Sequence, residues 1–169
     1  MIKRKFTCII CIILALLLQT TLFRELALSD VVPNLLLVVT VAYAYLRGRT
    51  SGLLVGFLCG ILLDSAYGSV LGLYAFIMMT VGFVIGFCPK IYFRNSLVLP
   101  LILIAASDFV YGLYYYITEF LMRGQLHFAF YFIHRILPEV VYTALVGIVV
   151  YRLIAALEAV VDRKREEEV

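Results

Sequence analysis

Apolar residues in this chain run in unbroken blocks, and short polar stretches separate one block from the next. Of 169 residues, 64% are apolar and only 15% are charged, against about 25% charged in an ordinary soluble domain. A single globular core of this length cannot hide such an excess, because part of its surface must face water. The contiguity also excludes a membrane β-barrel, whose strands alternate apolar and polar residues. The pattern predicts an all-α polytopic membrane protein, a compact bundle of six transmembrane helices.

A hydrocarbon core about 30 Å thick takes about 20 helical residues to cross. The blocks place spans at residues 6–23, 31–46, 50–63, 69–88, 96–122 and 136–157, followed by a charged cytoplasmic tail at 158–169. One helix over residues 50–88 would be about 58 Å long at 1.5 Å per residue, so the chain must break, and "DSAYGS" is the polar, glycine-bearing place to do so. Between the second and third spans, "RGRT" forms a tight hairpin. Were the two spans one helix, Arg47 and Arg49 would sit in lipid at about 2.5–3.5 kcal/mol each. At the inner interface their long stems snorkel instead, and they act as anchors. Six spans put both termini on one side together with eleven of the fourteen Lys and Arg residues, which the positive-inside rule makes the cytoplasm. The first block opens like a signal peptide, yet its 18 apolar residues exceed an h-region of about 7–15, so it reads as an uncleaved span.

Little in the chain points to reaction chemistry. Cys8 and Cys11 form a C-x-x-C within an apolar span, with no second pair to complete a zinc site, and Cys59 and Cys88 stand apart. His127 and His134 flank an aromatic interfacial stretch without a carboxylate or thiol at ligand spacing. Nucleophile-elbow, zinc-protease, Walker and dinucleotide signatures are missing. The sequence therefore predicts no catalytic residue, no metal, no cofactor and no enzyme activity. The net charge of +3 is used at the inner membrane face, which leaves no case for nucleic acid.

The most ordered pattern is a glycine ladder. Gly52, Gly56 and Gly60 recur at spacing four, hence on one helix face, and Gly82 and Gly86 repeat the spacing on the next span. Small residues so placed let helix backbones approach closely, either within the chain or against a partner helix. Asp64 continues the ladder and has two readings: a cap or turn for the start of the fourth span, or a contact on the outer face. On the fifth span, Asp108, Tyr115 and Glu119 fall within about 40° of one another at 100° per residue, with Tyr111 and Gly112 flanking. An intramembrane acid faces the bundle interior, so this stripe is a buried polar seam, the wall of a ligand pocket or part of a proton relay. Arg135 and Glu139 straddle Pro138 at the mouth of the last span, where Pro and an acidic residue suit a first helical turn.

The stretch "PNLLLVVTVAYAYLRGRTSGLLVGFLCGILLDSAYGSVLGLYAF" resembles the bacterial rod shape-determining MreD family. The matching features are Pro33-Asn34 opening a Leu-rich helix, the Arg-Gly-Arg hinge at Arg47 to Arg49, the glycine ladder into Leu63-Asp64, and Leu71-Gly72. The resemblance implies an integral part of the complex that directs lateral wall growth in the bacterial inner membrane. It implies as partners MreC, which has one span and an outer domain, and indirectly MreB and the wall-polymerising enzymes. Membrane lipid and a second copy of the chain are further candidate partners. It also implies a fold similar to the substrate-binding subunits of energy-coupling-factor vitamin transporters. Two functions follow: a non-enzymatic scaffold that docks a single-span partner through its glycine face, or a transporter subunit that captures a small, vitamin-like molecule.

Overall fold

The computed structural model describes residues 2–25, 31–67, 72–88, 97–119 and 128–166. Among them the chain is almost wholly helical and contains no extended strand. Helix α1 (Ile2–Leu17) continues through a π-helical stretch, Leu18–Leu22, into a last turn at Phe23–Glu25. It is followed by α2 (Leu35–Arg47), α3 (Arg49–Tyr67), α4 (Leu73–Ile85) and α5 (Val98–Glu119). A short turn, Phe128–Tyr131, and a second π-helical stretch, Phe132–Ile136, lead without a break into α6 (Leu137–Glu166). Helices long and apolar enough to cross a membrane cover Arg49–Tyr67, Val98–Thr118 and Phe132–Val161. Successive helices alternate in direction, so α1 begins and α6 finishes at the same end of the bundle.

Helix α2 is the axis around which the others pack. Every residue from Leu35 to Tyr45 is buried, and α1, α3, α4, α5 and α6 all touch it. A helix apolar on all sides belongs in an interior, and the run "LLLVVTVAYAY" has no polar face to expose. The polar hydroxyl of Thr40 bonds back to the Leu36 carbonyl at 2.9 Å. Outside this axis, large apolar side chains point away from the protein. On α6, Val141, Leu145, Val149, Leu153 and Leu157 form one exposed stripe at spacing four. Exposed residues of this kind suit lipid, not water.

A single residue, Gly48, joins α2 to α3. Its φ of 86° lies in the region that side chains other than glycine rarely adopt, and this permits the chain to reverse between two arginines. Helices α3 and α4 then form the most extensively packed pair in the bundle. A Cβ on Gly52 would lie within 3.0 Å of the Gly82 carbonyl, one on Gly56 would meet the Met78 backbone, and one on Gly60 would meet Tyr74 and Ala75. Gly82 and Gly86 answer from the other side, against Gly52 and against Arg49. The ladder is therefore filled from within the chain, by backbone against backbone. Of the two uses expected of the Gly52, Gly56 and Gly60 face, packing within the chain or docking a partner, the first is the one seen: α4 occupies it.

Several boundaries differ from those expected. Helix α3 runs to Tyr67, so Asp64 sits inside its last turn instead of in a loop, and α4 starts at Leu73. Residue 158, expected to begin a solvated tail, is a buried glutamate inside α6, which continues to Glu166. The mixed charges of "DRKREEE" disguised that continuation.

Backbone contact makes a sharp contrast testable. Gly56→Leu must push two helices apart, at the upper end of the 1–3 kcal/mol typical of overpacking or beyond. Gly147→Ala adds a methyl whose nearest neighbours, Ile104 methyls at 3.4 Å, are in ordinary contact. Thermal unfolding monitored by circular dichroism in detergent should show a large drop for the first and little change for the second.

Candidate functional site

Two features define the chemistry at the end of the bundle opposite the chain termini. The first is how short helices begin there. Helix α4 starts with N–H groups that no earlier turn can satisfy, and in an apolar environment each such group costs several kcal/mol. The Asp64 carboxylate of α3 accepts both: Tyr74 N–H on Oδ1 and Ala75 N–H on Oδ2, each at 3.0 Å. The residue is 3% exposed. Both oxygens are committed internally, which leaves no free carboxylate for a contact on the outer face. The positive end of the α4 dipole favours the charge in that position.

Helix α2 begins with the same problem and a similar solution. Leu36 N–H donates to Gln19 Oε1 of the first π-helical stretch at 3.2 Å, and Leu37 N–H donates to the Asn34 side chain at 3.2 Å. Leu35 N–H reaches the Pro33 carbonyl, and Val38 N–H makes the first regular helical bond, to Asn34. Asn34 N–H in turn donates to Thr143 Oγ1 of α6 at 3.1 Å. Each N–H from Asn34 to Val38 at this buried helix start thus has an acceptor, one of them supplied by Gln19. Sequence reasoning missed Gln19, a single amide within the first apolar block; its own polarity there was the available signal.

The second feature is a cavity of about 180 Å³ beside these caps. Its aromatic wall is made by Tyr74, Tyr111 and Tyr115: Tyr74 lies 6.1 Å from Tyr115 with planes 18° apart, and 6.0 Å from Tyr111. Arg135 and Glu139 also line it, as do Gln19 and Asn34. The expected stripe is thus divided. Tyr111 and Tyr115 face the cavity, whereas Asp108, 1% exposed, is not part of its lining. Asp108 packs toward α6, where Thr143 and Glu139 are the polar groups that act on it. Thr143 stays outside regular hydrogen-bond geometry, and among the described residues neither carboxylate oxygen has a hydrogen-bond partner. The side chain of Glu119, like His127, lies outside the described residues.

At the opposite end, Arg47 forms an ion pair and hydrogen bond with Glu158 of α6 and stands 5.7 Å from the Tyr43 ring centroid. Arg47, expected as an inner-interface anchor, is half-buried and also clamps α2 to α6. Arg49, by contrast, is exposed and lies over Phe87 at 5.4 Å. Among the described residues, no group of His, Cys, Asp and Glu could hold a metal ion.

Compared with known proteins, the chain matches the family model described as rod shape-determining protein MreD over residues 1–160. The chain belongs to the MreD family. It is a membrane protein of rod shape determination, and MreD proteins are shape-determining structural proteins. No curated protein and no solved structure matches it.

Two sets of substitutions test this MreD site. Asp64→Ala leaves two buried N–H groups unsatisfied, at about 1–3 kcal/mol each, while Asp64→Asn keeps one acceptor and should fall between. Breaking the Arg47–Glu158 pair from one side, by Arg47→Met or Glu158→Leu, should cost about 3–5 kcal/mol, because the other charge stays buried. The double variant should cost less than either single one. Unfolding in a detergent series, read as a double-mutant cycle, measures both.

Proposed function

We propose that this MreD chain is a non-enzymatic scaffold of the wall-elongation complex in the bacterial inner membrane. In this reading it crosses the membrane six times with both termini in the cytoplasm and docks a single-span, MreC-like partner. Through that partner it communicates with MreB and the wall-synthesis enzymes. The observation that carries the proposal is the family match along 160 of 169 residues. The alternating helix directions and the bias of Lys and Arg toward one side support the topology.

Docking on this chain has to use a surface other than the glycine ladder. Close approach through glycine is already spent between α3 and α4, so a partner helix meets side chains on the lipid-facing stripes. Association there rests on van der Waals fit and lost lipid contacts. One such stripe is the α6 series from Val141 to Leu157.

Depletion in a rod-shaped host should produce rounded, swollen cells, and a tagged chain should co-purify with a single-span membrane protein. A growth requirement for a vitamin or nucleoside with cell shape intact would instead place the chain in transport. Cytoplasm-only fluorescent reporters fused to each terminus should both light up; signal from one alone rejects the six-span topology.

A further inference from the structure

Asp108 is an acid that the bundle surrounds without answering. It is the eleventh of the 22 residues of α5, midway along a helix long and apolar enough to cross the membrane. The side chain is buried, and among the described residues both carboxylate oxygens lack a hydrogen-bond donor. The hydroxyl of Ser107 beside it is committed to the Leu103 carbonyl at 2.6 Å. Intramembrane acids without a partner mark functional positions, and none of the interactions described so far uses this one.

The charges around Asp108 oppose its ionisation. Helix α5 packs against α2, α4, α6 and the stretch Phe132–Ile136. From α6, Glu139 acts on Asp108 as a like charge, and Thr143 is the nearby hydroxyl. On α5 itself, Tyr111 feels the Asp108 charge, and its ring lies 6.0 Å from that of Tyr74 of α4. The titratable groups of α2, which are Tyr43, Tyr45 and Arg47, lie in its second half, toward the chain termini. In the stretch Phe132–Ile136, His134 is exposed against the Phe130 carbonyl, and Arg135 is exposed and acts on Glu139. No basic side chain is among the groups that act on Asp108.

A carboxylate in apolar surroundings, with neither donor nor cation, is neutralised instead of carrying its charge. Two carboxylates that share a site do not both ionise, and one proton then belongs to the pair. The two places for that proton are unequal. Glu139 is half-buried and lines the cavity, a polar space large enough for water. Asp108 has no such outlet. We propose that Asp108 and Glu139 form a proton-binding site between α5 and α6, with the proton held on Asp108 at neutral pH and exchanged with the cavity past Glu139. The proton turns Asp108 into a hydrogen-bond donor. Thr143 Oγ1, which already accepts Asn34 N–H at 3.1 Å, has a second lone pair to receive it. The bound proton thereby joins α5 to the α6 residue that meets the start of α2, and its loss sets like charges on facing helices.

The full chain in phosphatidylcholine nanodiscs is titrated with pH and read by infrared difference spectroscopy, in which a protonated carboxyl shows a carbonyl stretch that a carboxylate lacks. A protonated-acid band should persist at neutral pH, and Asp108→Asn should remove it. Carbon-13 in the aspartate carboxyls should shift the same band with no substitution at all. Glu139→Gln takes away the like charge, so the band should be lost at a pH lower by about one unit or more. If Asp108→Asn fails to fold, that shift of the labelled band identifies the residue. The unfolded chain, with its carboxyls in water, releases such a proton at about pH 4, whereas the folded chain keeps it. Wild-type stability should therefore fall as pH rises, and Asp108→Asn, a mimic of the neutral acid, should flatten the fall. Absence of a protonated-acid band at neutral pH overturns the proposal. So does a band that survives Asp108→Asn, one that ignores the aspartate label, or an unchanged midpoint in Glu139→Gln.

Discussion

Backbone N–H groups at the start of a helix have nowhere to go in hydrocarbon, and this bundle is organised around that fact. Helices α2 and α4, thirteen residues each, span only about 20 Å at 1.5 Å per residue, well short of a full crossing. The N–H groups of their first turns are met by side chains of neighbouring helices. Asp64 from α3 and Gln19 from the stretch after α1 reach across to close those turns. Each is a side chain of one helix completing the backbone of another. Remove them and the two short helices lose the partners that let them start where they do.

Close approach is the second half of the same arrangement. Asp64 has a short side chain and reaches Tyr74 and Ala75 because Gly60, one turn earlier, allows α4 to lie directly on α3. The glycines set the distance, and the aspartate uses it. At the far end, Arg47 and Glu158 tie the enclosed axis to α6 with a charge pair, where an apolar pair of equal volume would hold with less desolvation. The bundle thus carries polar fixtures at both ends of α2, with the bond from Asn34 N–H to Thr143 tying its first cap to α6.

The sequence made the architecture readable wherever a pattern repeated. Block lengths gave the number of helices, spacing four gave the glycine face, and an aspartate at the end of that face pointed to a cap. What it could not give was the occupant of each surface. Nothing in the spacing of Gly52, Gly56 and Gly60 says whether a helix of the same chain or of another fills the groove. Arg47 and Glu158 are 111 residues apart, and each was placed by its local neighbours, one beside Arg49 and one at the edge of a charged run. Asp108 and Tyr115 do share a helix face, but a face about 40° wide is broad enough for one residue to point at α6 while another lines a cavity. Tyr74 lies on a different helix, so its stacking on Tyr115 had no trace in periodicity.

The sequence separations of these fixtures imply an order of assembly. The Asp64 carboxylate closes on a residue only eleven positions downstream, and Gln19 on one seventeen downstream; loops so short close at low entropic cost. Both contacts lie within the first half of the chain and need nothing from the helices that follow. The Arg47–Glu158 pair, by contrast, needs the last helix in place, so it ties the beginning of the bundle to its end.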